Sequence, residues 1–335
     1  VIIIMVQVVL GGITRLTGSG LSITEWKPVM GALPPINETE WIAAFERYKQ
    51  IAQYKYLNNH FTLSDFKFIF FWEWFHRLWA RLLAVVFISG FVFFAWKKYF
   101  KREMINPLII LFLLGALQGL IGWIMVASGL NDENIYVSPY RLAIHFIAAL
   151  VLLCYTFWFA LKLLVKEEDR INNSVLRKLS YVIVFILLIQ LVYGAFMAGA
   201  KAAPAAATWP DINGEMIPSH IGANSSLWDT LTHNPIAIHF IHRTLAYVLI
   251  IITVIWYWLS FKSTERLLRK SRFIPLLLIF LQLLLGILAV LNATTIIPGK
   301  FAMYEILAQL HQIIAMLFLI SMIWMIYILR SLKSA

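Results

Sequence analysis

Cysteine is almost missing. Cys154 is the only one in 335 residues and lies inside an apolar run, which excludes an intrachain disulfide and leaves no thiolate metal site. Charge is scarce as well: Asp, Glu, Lys and Arg make up 13% of the chain, where a soluble domain carries about a quarter. The few carboxylates do not form the clusters that a di-iron helical bundle needs. The formal charge is +11, but the basic residues sit in short connections between apolar runs. The excess is therefore a topology signal, and no nucleic-acid partner is expected.

What fills the chain is apolar: 61% of residues are hydrophobic and 15% aromatic. The apolar segments fall at 1–14, 66–96, 106–128, 140–162, 178–200, 235–260, 273–291 and 303–329, and membrane lipid is the solvent they imply. The chain opens on Val1, and its first run has about a dozen residues where a span needs roughly twenty. It is read as a transmembrane helix whose beginning precedes this numbering, not as a signal peptide. A polar stretch, 15–65, follows with Pro28, Pro34 and Pro35. Within it Trp41, Ile42, Phe45, Tyr48 and Ile51 recur at helical spacing, so one interfacial helix is expected over 38–56.

Lys97, Lys98, Lys101 and Arg102, then Lys162, Lys166, Arg170, Arg177 and Lys178, then Lys262, Arg266, Arg269, Lys270 and Arg272, with Arg330 and Lys333, all fall on one side of this topology. The later loops of the other side hold only Lys201 and Lys300. The basic side should face the cytoplasm or the mitochondrial matrix, with both termini inside and loops 15–65, 129–139, 201–234 and 292–302 outside.

The chain also repeats itself. His76 and His145 are 69 residues apart, as are His242 and His311, and each first-half histidine precedes its counterpart by 166. Glu73-Trp-Phe-His76-Arg77 matches His239-Phe-Ile-His242-Arg243. Gln118-x-x-x-Gly122 matches Gln282-x-x-x-Gly286, and Gln7-x-x-x-Gly11 matches Gln190-x-x-x-Gly194. Four aligned segments mean duplication. The expected fold is all-α and integral to the membrane, with eight transmembrane helices in two pseudo-symmetric four-helix bundles, 1–165 and 166–335. An even number of spans per half puts the pseudo-axis along the membrane normal.

The four repeated histidines lie five to ten residues inside the outer boundary of their helices, roughly 8–15 Å deep. Two histidines facing each other across a bundle suit the two axial positions of a haem. Core histidines bonded to backbone are the bland alternative for one histidine, but not for four in two matched pairs. His60, His220 and His233 fall in outer loops and are read as solvated. His239 makes His-x-x-His with His242 on one helical face, but the repeat pairs His242 with His76, so His242 is taken as the ligand. His239 stands instead where the first half has Glu73. Glu73 is a carboxylate inside a membrane segment, one turn before His76, with two readings. It is either an ion pair with Arg77, Arg81 or Arg141, or a group that exchanges protons beside a porphyrin edge. Arg77, Arg81, Arg141 and Arg243 near the outer boundary suit haem propionates, or else simply snorkel.

These residues resemble the haem A synthase family of bacteria and mitochondria, over essentially the whole chain. The most specific stretches are Gly11-Gly-Ile-Thr-Arg-Leu-Thr-Gly-Ser-Gly-Leu-Ser-Ile-Thr-Glu-Trp26, Trp72-Glu-Trp-Phe-His-Arg77 and Ile241-His-Arg-Thr-Leu-Ala-Tyr247. The resemblance implies haem b as a cofactor on His242 and His311, a substrate haem O addressed by His76 and His145, and Glu73 as the catalytic carboxylate. It implies oxidation of a porphyrin ring methyl to a formyl group by successive hydroxylations, for cytochrome oxidase assembly, in a bacterial inner or mitochondrial inner membrane. Some bacterial members carry outer-loop cysteines that are lacking here. No reductase or flavin domain is present, so an external electron donor is expected, and haem O synthase (protohaem farnesyltransferase) is a further expected partner. A di-haem b-type cytochrome and a haem carrier are the competing classes.

Overall fold

The computed structural model describes residues 1–335 except 26–29, 132, 220, 223–225, 297–298 and 331–335. Trp26, Pro28, His220 and Lys333, named above, lie outside the described residues. Eleven α-helices carry the regular structure there: α1 (Ile2–Leu16), α2 (Glu38–Tyr48), α3 (Leu63–Trp96), α4 (Arg102–Ala127), α5 (Pro139–Leu164), α6 (Ser174–Gly199), α7 (Leu227–His233), α8 (Pro235–Ser260), α9 (Arg266–Ser271), α10 (Phe273–Leu291) and α11 (Met303–Ile328). Seven spans are long and apolar enough to cross a membrane, α9 and α10 together forming one of them, and α1 is an eighth, shorter apolar helix. The all-α multi-pass architecture expected from the sequence is the one observed.

Helix starts follow local chemistry. Thr62 caps α3 in a reciprocal capping box with Asp65. Asn173 caps α6 through the Leu176 amide, and Asn234 caps α8 through those of Ile236 and Ala237, with Pro235 at the first helical position. The faces of α3 and α4 are mostly open. α4 buries only Leu111, while Ile109, Phe112, Leu113, Leu117 and Leu120 are exposed. In water such a surface would drive association; in a bilayer it is the lipid contact.

The chain forms two compact units, Val1–Leu152 with Ile296–Glu305, and Leu153–Thr295 with Ile306–Ala335. In unit one, α3 is 34 residues long, about 50 Å, which exceeds a hydrocarbon core of roughly 30 Å. Its first turns carry a small aromatic core: Phe66 packs with Phe45, Tyr48, Trp41 and Phe70. This differs from the single interfacial helix expected over 38–56. The helix ends at Tyr48, and a wide turn of π type follows at Tyr54–Asn58. The break is anchored by the Ala52 amide on the Asn131 carbonyl and by Tyr48, whose hydroxyl donates to Gln53 and accepts from Asn58. The apolar stripe of α2 is covered by protein on Ala44, Phe45 and Tyr48, and burial pushes the Tyr48 phenol up from its ordinary pKa. In unit two, fully buried Trp256 of α8 donates to the Leu176 carbonyl and Ser180 hydroxyl of α6, and Trp158 meets Tyr327 edge-on at 5.0 Å.

Phe66 is completely buried, so Phe66→Ala should cost about 3–5 kcal/mol in the outer aromatic core. Limited proteolysis in detergent checks this. Cleavage within 38–61 should accelerate, while unit two stays resistant.

Candidate functional site: two histidine pairs and their loops

Each of the four intramembrane histidines meets the same partner on a neighbouring helix. In unit one His76 on α3 faces Gln7 and Gly11 of α1, and His145 on α5 faces Gln118 and Gly122 of α4. In unit two His242 on α8 faces Gln190 and Gly194 of α6, and His311 on α11 faces Gln282 and Gly286 of α10. Gln-x-x-x-Gly places both residues on one face of a helix, a turn apart. A Cβ built on the glycines would stand 3.2, 2.8, 3.5 and 2.9 Å from the imidazole Cε1 of His76, His145, His242 and His311. Glycine therefore lets the ring edge lie against backbone, and glutamine supplies the polar contact from one turn away. The pairing of these glutamines between halves was visible as a repeat. Their role was not, because nothing in one sequence says that Gln7 faces His76 across 69 residues.

The ring centroids of His242 and His311 are 6.3 Å apart with planes at 60°. Two metal–imidazole bonds of about 2 Å, with the ring radii, put axial ligands of one iron roughly 6 Å apart between centroids. The His311 Nδ1–H donates to the Gln282 carbonyl at 3.0 Å, which leaves Nε2 with the lone pair a metal needs. This pair fits a bis-imidazole haem. Among the described residues no cluster of three or more His, Cys, Asp or Glu offers a conventional metal cage.

A turn before each α3 or α8 histidine, the second repeated position clamps an outer loop. Glu73 is buried; its Oε2 accepts from the Ser22 hydroxyl at 2.7 Å and the Ile23 amide at 2.8 Å, and its Oε1 meets Arg77 at 2.5 Å. Arg77 continues to the carbonyls of Ile23 and Glu25. In unit two the His239 Nε2–H donates to the Ala202 carbonyl at 2.9 Å, while Nδ1 accepts from Arg243. Arg243 reaches the carbonyls of Ala206, Thr208 and Asp211. Both ring nitrogens of His239 are thus engaged, whereas His242 turns to Gln190. Arg243 has Nε as its unpaired donor; Arg141 donates to the Ile124 carbonyl from an exposed position, and Arg81 is half-buried on α3. His60 meets Phe61 edge-on, His233 lies beside Asp229, and both histidines are exposed.

Helical spans, paired histidines within them and loops clamped beside them define a multi-pass membrane protein of the helical-bundle class. The chain belongs to the COX15-CtaA family, cytochrome oxidase assembly protein, whose model matches residues 1–323. It is 40% identical over 297 residues to the heme A synthase of Bradyrhizobium diazoefficiens, covering 88% of this chain and 82% of that one. The heme A synthase of Flavobacterium johnsoniae is 37% identical over 331 residues, 97% of this chain and 94% of the relative. That of Bartonella henselae is 40% identical over 294 residues, 87% and 82% respectively. No solved structure matches the chain.

The glycine contacts order two substitutions. Gly286→Ala would press a Cβ to 2.9 Å from His311 and should cost about 1–3 kcal/mol by overpacking. Gly194→Ala meets His242 at 3.5 Å, ordinary contact, so the helix preference for alanine should leave it neutral or about 0.5–1 kcal/mol more stable. Thermal unfolding in detergent reads both.

Proposed function

We infer that this chain is a haem A synthase, a membrane oxidoreductase that converts haem O to haem A by oxidising one porphyrin ring methyl to a formyl group. The observation that carries this beyond family membership is the duplicated histidine pair with a carboxylate in one half only. Unit one is the substrate half, with His76 and His145 addressing haem O. Unit two is the cofactor half, where His242 and His311 hold haem b at a spacing that fits axial ligation. Bound there, haem b supplies one-electron redox chemistry, fed by an external donor.

The chain's own groups do the positioning. Glu73 is the proposed catalytic carboxylate; its Oε2 accepts from Ser22 and Ile23, and its Oε1 from Arg77. Arg77 pairs with Oε1 and ties it to the 22–25 loop, so carboxylate and loop are set together. Arg77, Arg81, Arg141 and Arg243 are the proposed propionate partners, Arg77 and Arg243 while also holding loop carbonyls and, for Arg77, Glu73. The site is assigned to the outer half of a bacterial inner or mitochondrial inner membrane with both termini inside, and haem O synthase is the partner that would hand over substrate.

Co-expression with a haem O-producing enzyme tests the reading: a formylated haem should appear in the membranes, and unchanged pigments would favour a cytochrome or carrier. In the same system Glu73→Gln keeps an acceptor for Ser22 and Ile23 but removes the titratable group. Conversion normalised to haem b should fall by roughly 10²-fold. Normal turnover per haem b would leave Glu73 as the partner of Arg77 alone.

A further inference from the structure

The four glutamines do not hold their histidines alike. In unit one the Gln118 Nε2 amide sits 3.2 Å from the Nδ1 of His145 and also donates to the His145 carbonyl at 3.0 Å. That second bond fixes which end of the amide faces the ring, since the reversed amide would set its oxygen against the carbonyl oxygen. An N–H aimed at Nδ1 makes Nδ1 the acceptor and leaves the ring proton on Nε2. Gln7 repeats the arrangement more loosely: its Nε2 donates to the His76 carbonyl at 3.3 Å and lies 3.3 and 3.4 Å from the two ring nitrogens.

Unit two reverses this. The His311 Nδ1 lies 3.0 Å from the Gln282 carbonyl, which can only accept, so Nδ1 carries the proton. Nε2 then holds the lone pair, met by the Gln282 amide at 3.0 Å. Gln190 likewise meets His242 at Nε2, at 3.3 Å. The amides of Gln7 and Gln118 are fixed by the bonds they donate to the carbonyls of His76 and His145, and that of Gln282 by the proton on His311 Nδ1.

An imidazole that ligates iron through Nε2 donates Nδ1–H to an acceptor. His311 already has this form and His145 has the opposite one. We propose that the Gln-x-x-x-Gly helices set histidine tautomers, so that His311 in unit two stands in the Nδ1–H form of an Nε2 iron ligand while Gln118 holds His145 in the opposite form, which makes haem binding in unit one the more reversible. Gln118 is on this account a positioning residue acting through His145. The inference rests on the reading of unit one as the substrate half. It gives a physical reason why one bundle of a duplicated pair could retain its haem and the other release it: at either histidine a glutamine amide must be displaced, but only at His145 must the ring proton also move from Nε2 to Nδ1.

Two measurements test it on the full-length chain. In haem-free protein labelled with 15N-histidine, and assigned by loss of signals in His145→Gln and His311→Gln, His145 should carry its proton on Nε2 and His311 on Nδ1. One tautomer shared by both would overturn the proposal. With haem b in place, unit one is loaded with haem O, and its release to apomyoglobin is followed, with His145→Ala identifying the phase that belongs to this site. Gln118→Glu replaces the donor facing Nδ1 with an acceptor and should slow release tenfold or more, with a more strongly low-spin spectrum. Release equal to or faster than wild type, in protein that keeps haem b, would overturn it. If no His145-dependent haem phase exists although the tautomers differ as stated, the substrate assignment fails and the tautomer assignment stands.

Discussion

Everything in these bundles depends on how closely a histidine ring can approach the backbone of the next helix. At Gly122 and Gly286 there is no room for a methyl group beside Cε1, and at Gly11 very little. A membrane gives helices no hydrophobic drive to associate, so close packing at small residues and a few polar contacts must hold them. The Gln-x-x-x-Gly face provides both at once. It also explains how a neutral imidazole is tolerated within apolar spans: each ring has an amide partner on the adjacent helix and is aimed by it.

The outer loops follow from the same helices. Glu73 with Arg77, and His239 with Arg243, stand at equivalent places in the repeat and do equivalent mechanical work, pinning the segment that follows α1 or α6. Duplication thus preserved the clamp and changed its chemistry. In unit two the clamp is an uncharged imidazole between a carbonyl and a guanidinium. In unit one it is a carboxylate ion pair between Glu73 and Arg77. Arg77 joins carboxylate and loop, pairing with Glu73 and holding the loop by the carbonyls of Ile23 and Glu25.

Much of this was legible in the chain itself. The span boundaries, 140–162 against Pro139–Leu164 or 235–260 against Pro235–Ser260, follow from hydropathy and from Pro and Asn at helix starts. The histidine pairs and Glu73 opposite His239 follow from the repeat. The 38–56 segment was misjudged because an apolar stripe looks the same whether lipid or Phe66 covers it. The roles of Gln7, Gln118, Gln190 and Gln282 were hidden because a hydrogen bond between helices leaves no periodic mark. The loop clamps were hidden too, since their acceptors are backbone carbonyls, which every residue has.

The central claim is that His242 and His311, not His239, form a bis-imidazole haem site. Electron paramagnetic resonance and visible spectra of the purified protein test it most directly. The account predicts a low-spin bis-histidine haem b that is lost in His242→Ala and in His311→Ala but retained in His239→Gln. A bis-histidine signal surviving in the His242→Ala/His311→Ala double variant, or loss in His239→Gln equal to that in His242→Gln, would contradict it.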